Sequence, residues 1–208
     1  MILIADNWGH KILGDREERA RIAAELRDEA RTLLIETGIL DLLTARFGEA
    51  TVTGSAGYDL MVTRDLDIHL PCDPERTLEW ASLAGELAAQ LDQVGLSLHR
   101  ASFLNDYVDP HPLGAGLCWA IEFIDFAGNG WKWEIWGWDP FDFAVRQARD
   151  ANFRADLSNC DRDLILALKH EVRASDYAGQ ITSFDIYNFV IEGAGASVAE
   201  LQAWKGLA

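Results

Sequence analysis

Basic residues are scarce in this 208-residue chain, and long apolar runs are absent from it. It has 18 lysines and arginines against 34 aspartates and glutamates, which gives a formal net charge of −16 at pH 7. Proteins that bind nucleic acids normally carry a basic patch, so we expect no long nucleic acid among the partners and favour a cationic or neutral small molecule. No apolar run reaches the ~18 residues of a membrane helix, so we expect no membrane partner.

Cysteine is also rare, and its positions exclude two common roles. Cys72, Cys118 and Cys160 are odd in number and widely spaced, and they form neither a Cys-x-x-Cys motif nor a zinc-binding pattern. Residues 1–6 lack the pattern of an export signal, in which a basic stretch is followed by an apolar one. These features predict a reduced, cytoplasmic protein.

The most informative segment is a Gly-Ser pair followed by an alternating acidic strand. Gly54 and Ser55 stand nine residues before an acid–apolar–acid–apolar run at residues 65–68. Alternate side chains of a strand share a face, so Asp65 and Asp67 point one way, roughly 6–7 Å apart along the backbone. Such carboxylates can converge on a divalent cation, and a glycine turn lets backbone amides approach a phosphate. The alternative is a plain turn followed by a strand with two surface aspartates.

A later hairpin offers candidates for a third carboxylate. Residues 117–126 and 131–138 are apolar and aromatic, and an Asn-Gly dipeptide, typical of hairpin turns, lies between them. Glu122 and Glu134 interrupt these strands, and a carboxylate there is costly unless it is solvated, paired or bound to metal. We favour Glu134 as the third acid; Glu122 is then a general base or the cross-strand partner of Lys132.

The turn, the spacing and the paired aspartates resemble the signature of the DNA polymerase β-like nucleotidyltransferase superfamily. The resemblance implies a mixed α/β (α+β) nucleotidyltransferase fold, with a short mixed sheet flanked by helices. It also implies one or two Mg²⁺ ions held by Asp65, Asp67 and Glu134, although the family usually has aspartate at the third position. A nucleoside triphosphate such as ATP would be the co-substrate, with its phosphates over Gly54 and Ser55.

Further side chains are candidates for the same site. In the family, helices after the catalytic core often supply a lysine to the nucleotide phosphates, which makes Lys169 a candidate; the alternative is a surface lysine lying along an apolar stripe. Arg64 could pair with an acid or reach phosphate, and His69 shares the face of the paired aspartates. Trp136 and Trp138 share the face of the strand glutamate, where one of them could stack a nucleobase.

Hydrophobic periodicity and Gly/Pro punctuation predict an α/β part followed by helices only. The expected strands outside the hairpin cover residues 50–53, 65–70 and 97–103, and a loop covers 105–116. The expected helices cover residues 15–47 with a break near Gly38, 56–62, 75–94, 141–152, 161–175, 183–192 and 197–204. We therefore divide the chain into a catalytic domain, residues 1–140, and a helical C-terminal region, residues 141–208.

These expectations define a function. We predict a metal-dependent nucleotidyltransferase that moves a nucleoside monophosphate from a nucleoside triphosphate to a hydroxyl of a small-molecule acceptor, by fold-level analogy an aminoglycoside- or lincosamide-like compound. Two alternatives stay open. One is a catalytically silent relative that binds nucleotide, and the other is a toxin-type enzyme that modifies a protein or a tRNA end.

Overall fold

The computed structural model describes residues 15–108 and 114–207. The strands of this part of the chain form one five-stranded sheet in the order β1-β2-β5-β4-β3. Pairing is parallel between β2 and β5 and antiparallel elsewhere, so the sheet is mixed. The strands are β1 (Thr51–Thr53), β2 (Asp65–Pro71), β3 (Ser97–Asn105), β4 (Leu117–Ile124) and β5 (Gly130–Trp138).

Helices flank the sheet, which confirms the predicted mixed α/β class. They are α1 (Arg16–Thr37), α2 (Ile39–Phe47), α3 (Gly54–Gly57), α4 (Thr77–Gln93), α5 (Pro140–Ser158), α6 (Arg162–Arg173), α7 (Ser183–Ile191) and α8 (Val198–Lys205). Among residues 15–108 and 114–207, no helix is both long enough and apolar enough to cross a bilayer. The predicted N-terminal features at residues 1–6, and residues 109–113 of the predicted loop, lie outside the described residues.

Local signals set the boundaries of the first two helices. The Asp15 side chain accepts a hydrogen bond from the Glu18 amide and caps α1. Gly38 follows with φ +62°, a left-handed conformation that favours glycine, and it separates α1 from α2. The predicted break near Gly38 is therefore confirmed.

The predicted helix over residues 56–62 is wrong. Helix α3 begins at Gly54 and ends at Gly57, and the chain then turns. Asp59 has φ +59°, which a right-handed helix cannot include. Its carboxylate pairs with Arg27 at 3.1 Å and with Arg162 at 3.4 Å, so the turn joins the first helix to α6.

The buried apolar residues of the described part of the chain form two cores. The larger core packs α1, α2 and α4 on the sheet face that carries Leu66, Ile68, Trp133 and Ile135. The second core joins the helices α5 to α8 with Ala23 of α1 and with the turn after α3. The change to helices alone coincides with the end of β5 at Trp138, near the predicted boundary, and the later helices pack directly on the earlier part.

We expect Ile135→Ala to lower the free energy of unfolding by about 3 kcal/mol, because Ile135 is fully buried on the central strand β5 and its truncation leaves a cavity. Urea denaturation of the variant and the wild type measures the difference. Ile35→Ala is the matched control, since Ile35 is 71% exposed and its truncation should cost less than about 0.5 kcal/mol. Equal losses in the two variants would contradict the assignment of β5 to the core.

Candidate active site

The parallel pairing of β2 with β5 brings the predicted acids together. Asp67 lies directly opposite Glu134, and Asp65 lies opposite Lys132. Because adjacent strands are about 4.8 Å apart and paired residues share a face, Glu134 stands beside Asp67. The sheet thus presents three carboxylates and one ammonium group in a small area.

Apolar neighbours determine this register. Leu66 and Ile68 alternate with the aspartates and are fully buried, as are Trp133 and Ile135 on β5. A shift by one residue would turn the carboxylates into the core and the apolar side chains out of it. The hydrophobic alternation in the two strands therefore positions the acids.

Gly54 lies against the carboxylate of Asp67. Its φ is +60°, and a Cβ built on it would stand only 2.2 Å from Asp67 Oδ2. A side chain at this position would displace the carboxylate. The glycine of the Gly-Ser turn is thus required by the aspartate that it touches as well as by its backbone conformation.

Lys169 reaches the Gly-Ser turn from α6. Its Nζ donates hydrogen bonds to Ser55 Oγ at 2.7 Å, to the Leu60 carbonyl at 2.6 Å and to the Tyr187 hydroxyl at 2.9 Å. The residue is 4% exposed, so the alternative interpretation as a surface lysine is wrong. Burial lowers its pKa to about 7, against the opposing charges of Asp65 and Asp67.

The acids are half-buried and repel one another. Burial, followed by the charges of Asp65 and Glu134, raises the pKa of Asp67 to about 7. Burial also raises the pKa of Asp65. Lys132 lowers the pKa of both aspartates, and its Nζ lies 2.5 Å from Glu134 Oε1. The site is therefore a concentration of negative charge that its own lysines only partly balance.

The donor chemistry of the site suits Mg²⁺, which binds carboxylate oxygens. Asp65 Oδ1 is buried and has no hydrogen-bond partner within the described residues. A buried carboxylate oxygen without a partner is costly, and a bound cation would remove that cost. In this structure, Glu134 is turned toward Lys132. Among residues 15–108 and 114–207, no three His, Cys, Asp or Glu side chains converge closely enough to hold an ion as they stand.

Other predicted candidates have structural partners. Arg64 Nε donates a hydrogen bond to Glu29 at 2.8 Å. Of the two roles expected for Arg64, pairing with an acid is therefore the one seen in the structure. Glu122 is paired in register with Lys132, but its ion pair is with Arg100 at 3.8 Å. His69 does share the face of the aspartates; burial lowers its pKa to about 4, so its imidazole is neutral at pH 7.

The sequence did not indicate two residues that hold the Gly-Ser turn. Asp150 on α5 accepts hydrogen bonds from Thr53 Oγ1 at 2.7 Å and from the Tyr58 hydroxyl, and so ties both ends of the turn to that helix. The Tyr187 hydroxyl lies 3.2 Å from Ser55 Oγ. These residues lie 97 and 132 positions from their partners, and neither belongs to a motif that would have identified them.

The chain matches no protein-family model and no curated protein sequence. The assignment of function therefore depends on the geometry and chemistry of the site.

The contact between Gly54 and Asp67 can be measured with a double-mutant cycle. We expect Gly54→Ala to lower the free energy of unfolding by about 2 kcal/mol through backbone strain and the clash with Asp67. Part of that loss, about 1 kcal/mol, should disappear in an Asp67→Ala background, where the clash is relieved. Urea denaturation of the four proteins gives the coupling.

Gly193→Ala is the control for backbone strain alone, because Gly193 has φ +64° and nothing lies within 4 Å of a Cβ built on it. An equal cost of Gly54→Ala in both backgrounds would show that the glycine does not respond to the carboxylate.

The raised pKa of Asp67 predicts a pH-dependent stability. Between about pH 4, where an unfolded aspartate titrates, and pH 7, the folded protein holds a proton that the unfolded chain releases, so stability falls as pH rises. Asp67→Asn removes this contribution. We expect it to stabilise the metal-free protein by about 2 kcal/mol at pH 8 and by clearly less at pH 5.5, measured by urea denaturation with EDTA.

The exposed Asp176 supplies the control. Asp176→Asn should leave the difference in the free energy of unfolding between pH 8 and pH 5.5 as it is in the wild type. A stabilisation by Asp67→Asn of the same size at both pH values would refute the interpretation.

Proposed function

We propose that the chain is a metal-dependent nucleotidyltransferase that transfers a nucleoside monophosphate from a nucleoside triphosphate to a hydroxyl of a small-molecule acceptor. One observation carries the proposal: β5 sets Glu134 beside Asp67 on the face that also bears Asp65, at the edge where Gly54 and Ser55 turn. This is the arrangement that the resemblance to the polymerase β-like superfamily implies, and we extend the proposal to its nucleotidyltransferase fold.

The three acids have distinct places in the proposed site. Asp65 and Asp67 would hold Mg²⁺, and Glu134 would join them once its carboxylate exchanges Lys132 for the ion. Bound Mg²⁺ neutralises phosphate charge and lowers the pKa of a coordinated hydroxyl. Lys132 then remains beside the site as a cation that limits the repulsion among the acids.

The Gly-Ser turn would receive the triphosphate. Gly54 allows close backbone approach, and the Ser55 hydroxyl can donate to a phosphate oxygen because Lys169 donates to the same Oγ atom. Lys169 therefore orients Ser55 and adds positive charge behind the turn. All three of its hydrogens have acceptors, so a direct contact with phosphate would require one exchange of partner.

The transfer itself is an in-line displacement. The acceptor oxygen forms a bond to the α-phosphorus as the bond between that phosphorus and the leaving pyrophosphate oxygen breaks. The hydroxyl proton passes to a carboxylate oxygen of Glu134, the acid that stands farthest from the Gly-Ser turn across the sheet. The pyrophosphate departs on the side of Gly54 and Ser55.

Nucleotide binding without transfer is the second candidate function. The ion pair of Glu134 with Lys132 and the fully bonded Lys169 favour it, since both groups would have to change partners during catalysis. A toxin-type enzyme that acts on a tRNA end fits the net charge of −16 poorly.

Calorimetric titration of ATP, GTP, CTP and UTP, with and without Mg²⁺, tests the proposal. We expect magnesium-dependent binding of at least one nucleotide and its loss in Asp65→Asn/Asp67→Asn, because neutral amides cannot replace the charged ligands. In a pyrophosphate-release assay, Glu134→Gln should lower turnover at least about 100-fold, the scale expected for a lost proton acceptor.

Glu122→Gln is the matched control for Glu134→Gln and should retain most turnover. Normal turnover in Asp67→Asn would refute the proposed site. Magnesium-dependent binding without pyrophosphate release from any acceptor would favour the second candidate function.

A further inference from the structure

The hydroxyl group of Ser55 lies beside a buried lysine, and the pair can do a chemistry that nucleotide binding does not use. We propose that Ser55 is a nucleophile with Lys169 as its general base, and that the pair hydrolyses cationic esters through an acyl-serine. This activity requires neither a metal ion nor a nucleotide. It therefore goes beyond the proposed function and can be tested separately from it.

Three polar atoms from different helices form a closed triangle. Lys169 Nζ lies 2.7 Å from Ser55 Oγ and 2.9 Å from the Tyr187 hydroxyl, and the two hydroxyl oxygens lie 3.2 Å apart. A nucleophile within hydrogen-bond distance of a base, with that base oriented by a third group, is the arrangement used in covalent catalysis. The three side chains belong to α3, α6 and α7, so the tertiary fold assembles the triangle.

The surroundings of Lys169 favour its neutral amine, which is the form that a general base requires. The residue is 4% exposed, and its hydrogen-bond partners are two hydroxyls and the Leu60 carbonyl, all of them uncharged. Burial lowers its pKa to about 7, so a large share of the molecules carries the neutral amine at pH 7. Lys132 differs, because its pKa is raised in spite of burial by the hydrogen bond to Glu134.

The triangle accommodates loss of the lysine proton without movement of its heavy atoms. A neutral amine keeps two hydrogens, which can stay on the Leu60 carbonyl and the Tyr187 hydroxyl, and it gains a lone pair that accepts the hydrogen of Ser55. Burial raises the pKa of Tyr187 to about 12, so the tyrosine remains a hydroxyl at neutral pH and does not replace Lys169 as the base. The neutral triangle thus has the serine proton directed at the amine.

Ser55 is the member of the triangle that a ligand can reach. It stands between β1 and the rest of α3, directly after Gly54, whose φ of +60° turns the chain sharply. Lys169 and Tyr187 are 4% and 2% exposed, whereas Ser55 remains partly exposed. A compound from solution therefore meets the nucleophile, while the base stays behind it in the second core.

The negative charge around Ser55 favours a cationic ester. Gly54, the preceding residue, lies against Asp67, and the charges of Asp65 and Asp67 both act on Lys169. When the lysine is neutral, the triangle itself carries no positive charge that would balance these acids. A cationic group on the ester is attracted to the carboxylates, whereas an anionic acyl donor is repelled.

The reaction has two steps, and each conserves atoms and charge. Ser55 Oγ forms a bond to the ester carbonyl carbon, the bond from that carbon to the alcohol oxygen breaks, and the serine proton passes through Lys169 Nζ to the departing alcohol. A water molecule then attacks the acyl carbon and gives a proton to Nζ. The bond to Ser55 Oγ breaks, and the serine takes that proton back as the carboxylic acid leaves.

A fluorophosphonate probe, which forms a stable bond to nucleophilic serines, tests the nucleophile in EDTA and without nucleotide. We expect one label per chain, located at Ser55 by peptide mass spectrometry and lost in Ser55→Ala. Lys169→Met should slow labelling at least about 100-fold, the effect of losing a general base, with urea denaturation to establish that the variant is folded. Ser175→Ala is the matched control, because the partly exposed Ser175 donates to the Val172 carbonyl at 2.7 Å and should not affect labelling.

The pH dependence of labelling tests the base in the wild type, without any lysine variant. The rate should rise about tenfold between pH 6 and pH 8 and then level off, as the neutral fraction of a base with a pKa of about 7 does. Without a base, the rate would follow hydroxide and would not level off. Besides Tyr187, the groups that act on Lys169 are Asp65 and Asp67 of β2 and Arg173 of α6. Asp67→Asn should keep the levelling and move its midpoint to lower pH, because the Asp67 charge raises the pKa of Lys169.

Acetylcholine and acetyl phosphate test the substrate class, as a cationic ester and an anionic acyl donor. Proton NMR of the released acetate measures both reactions. We expect hydrolysis of acetylcholine that is lost in Ser55→Ala, and a rate at least about tenfold higher than for acetyl phosphate at equal concentration, because the acids repel the phosphate.

Several results would overturn the inference. They are a wild type that the probe does not label, labelling that persists in Ser55→Ala, a labelling rate that does not level off with pH, and a faster reaction with acetyl phosphate than with acetylcholine. The proposed function has its own readout, since Mg·ATP over the Gly-Ser turn should protect Ser55 from the probe. Bound Mg·ATP that gives no protection would refute that placement of the triphosphate and leave the nucleophile supported. Nucleotidyl transfer by a protein whose Ser55 is unreactive would refute the nucleophile alone.

Discussion

The register between the parallel strands β2 and β5 is the constraint on which the site depends. It places Asp67 opposite Glu134 although the two residues are far apart in the chain. The polar side chains do not select it, since the acids repel one another. The buried Leu66 and Ile135 select it from the opposite face, where a slip would expose apolar surface and bury carboxylates. The hydrophobic core thus supplies the free energy that holds the acids together.

Placing these acids and Lys169 together in a buried region makes it costly to charge them, and such a cost is consistent with a binding role. Burial and mutual repulsion raise the pKa of Asp67, and burial lowers the pKa of Lys169, so each group is more difficult to charge than in water. Perturbed groups of opposite sign in one small region are common at functional sites. Structural ion pairs alone would more often stabilise the charged forms, as Arg19 does for Asp163, whose pKa is lowered. A cation bound to the aspartates would reverse the cost of charging them.

The sequence was sufficient for the features that depend on local pattern. Strand alternation predicted that Asp65 and Asp67 share a face, and it predicted the class of the fold. Pairing of Glu134 with Asp67 was expected only through the family resemblance, because it depends on the parallel contact between distant strands. The helix at residues 56–62 was wrong because Asp59 adopts a positive φ in a turn held by tertiary ion pairs, which periodicity does not report. Asp150 had no local signal at all.

The C-terminal helices contribute side chains to the candidate site. The boundary near residue 140 therefore marks a change in sequence pattern, and residues from both sides of it form the site. Helix α6 brings Lys169 to Ser55, α7 brings Tyr187 to the same hydroxyl, and α5 fixes the turn through Asp150. A change in the packing of these helices would move the Gly-Ser turn while the acids stay fixed on the sheet. The position of the Gly-Ser turn relative to the carboxylates therefore depends on the second core, and the candidate site requires both parts of the chain.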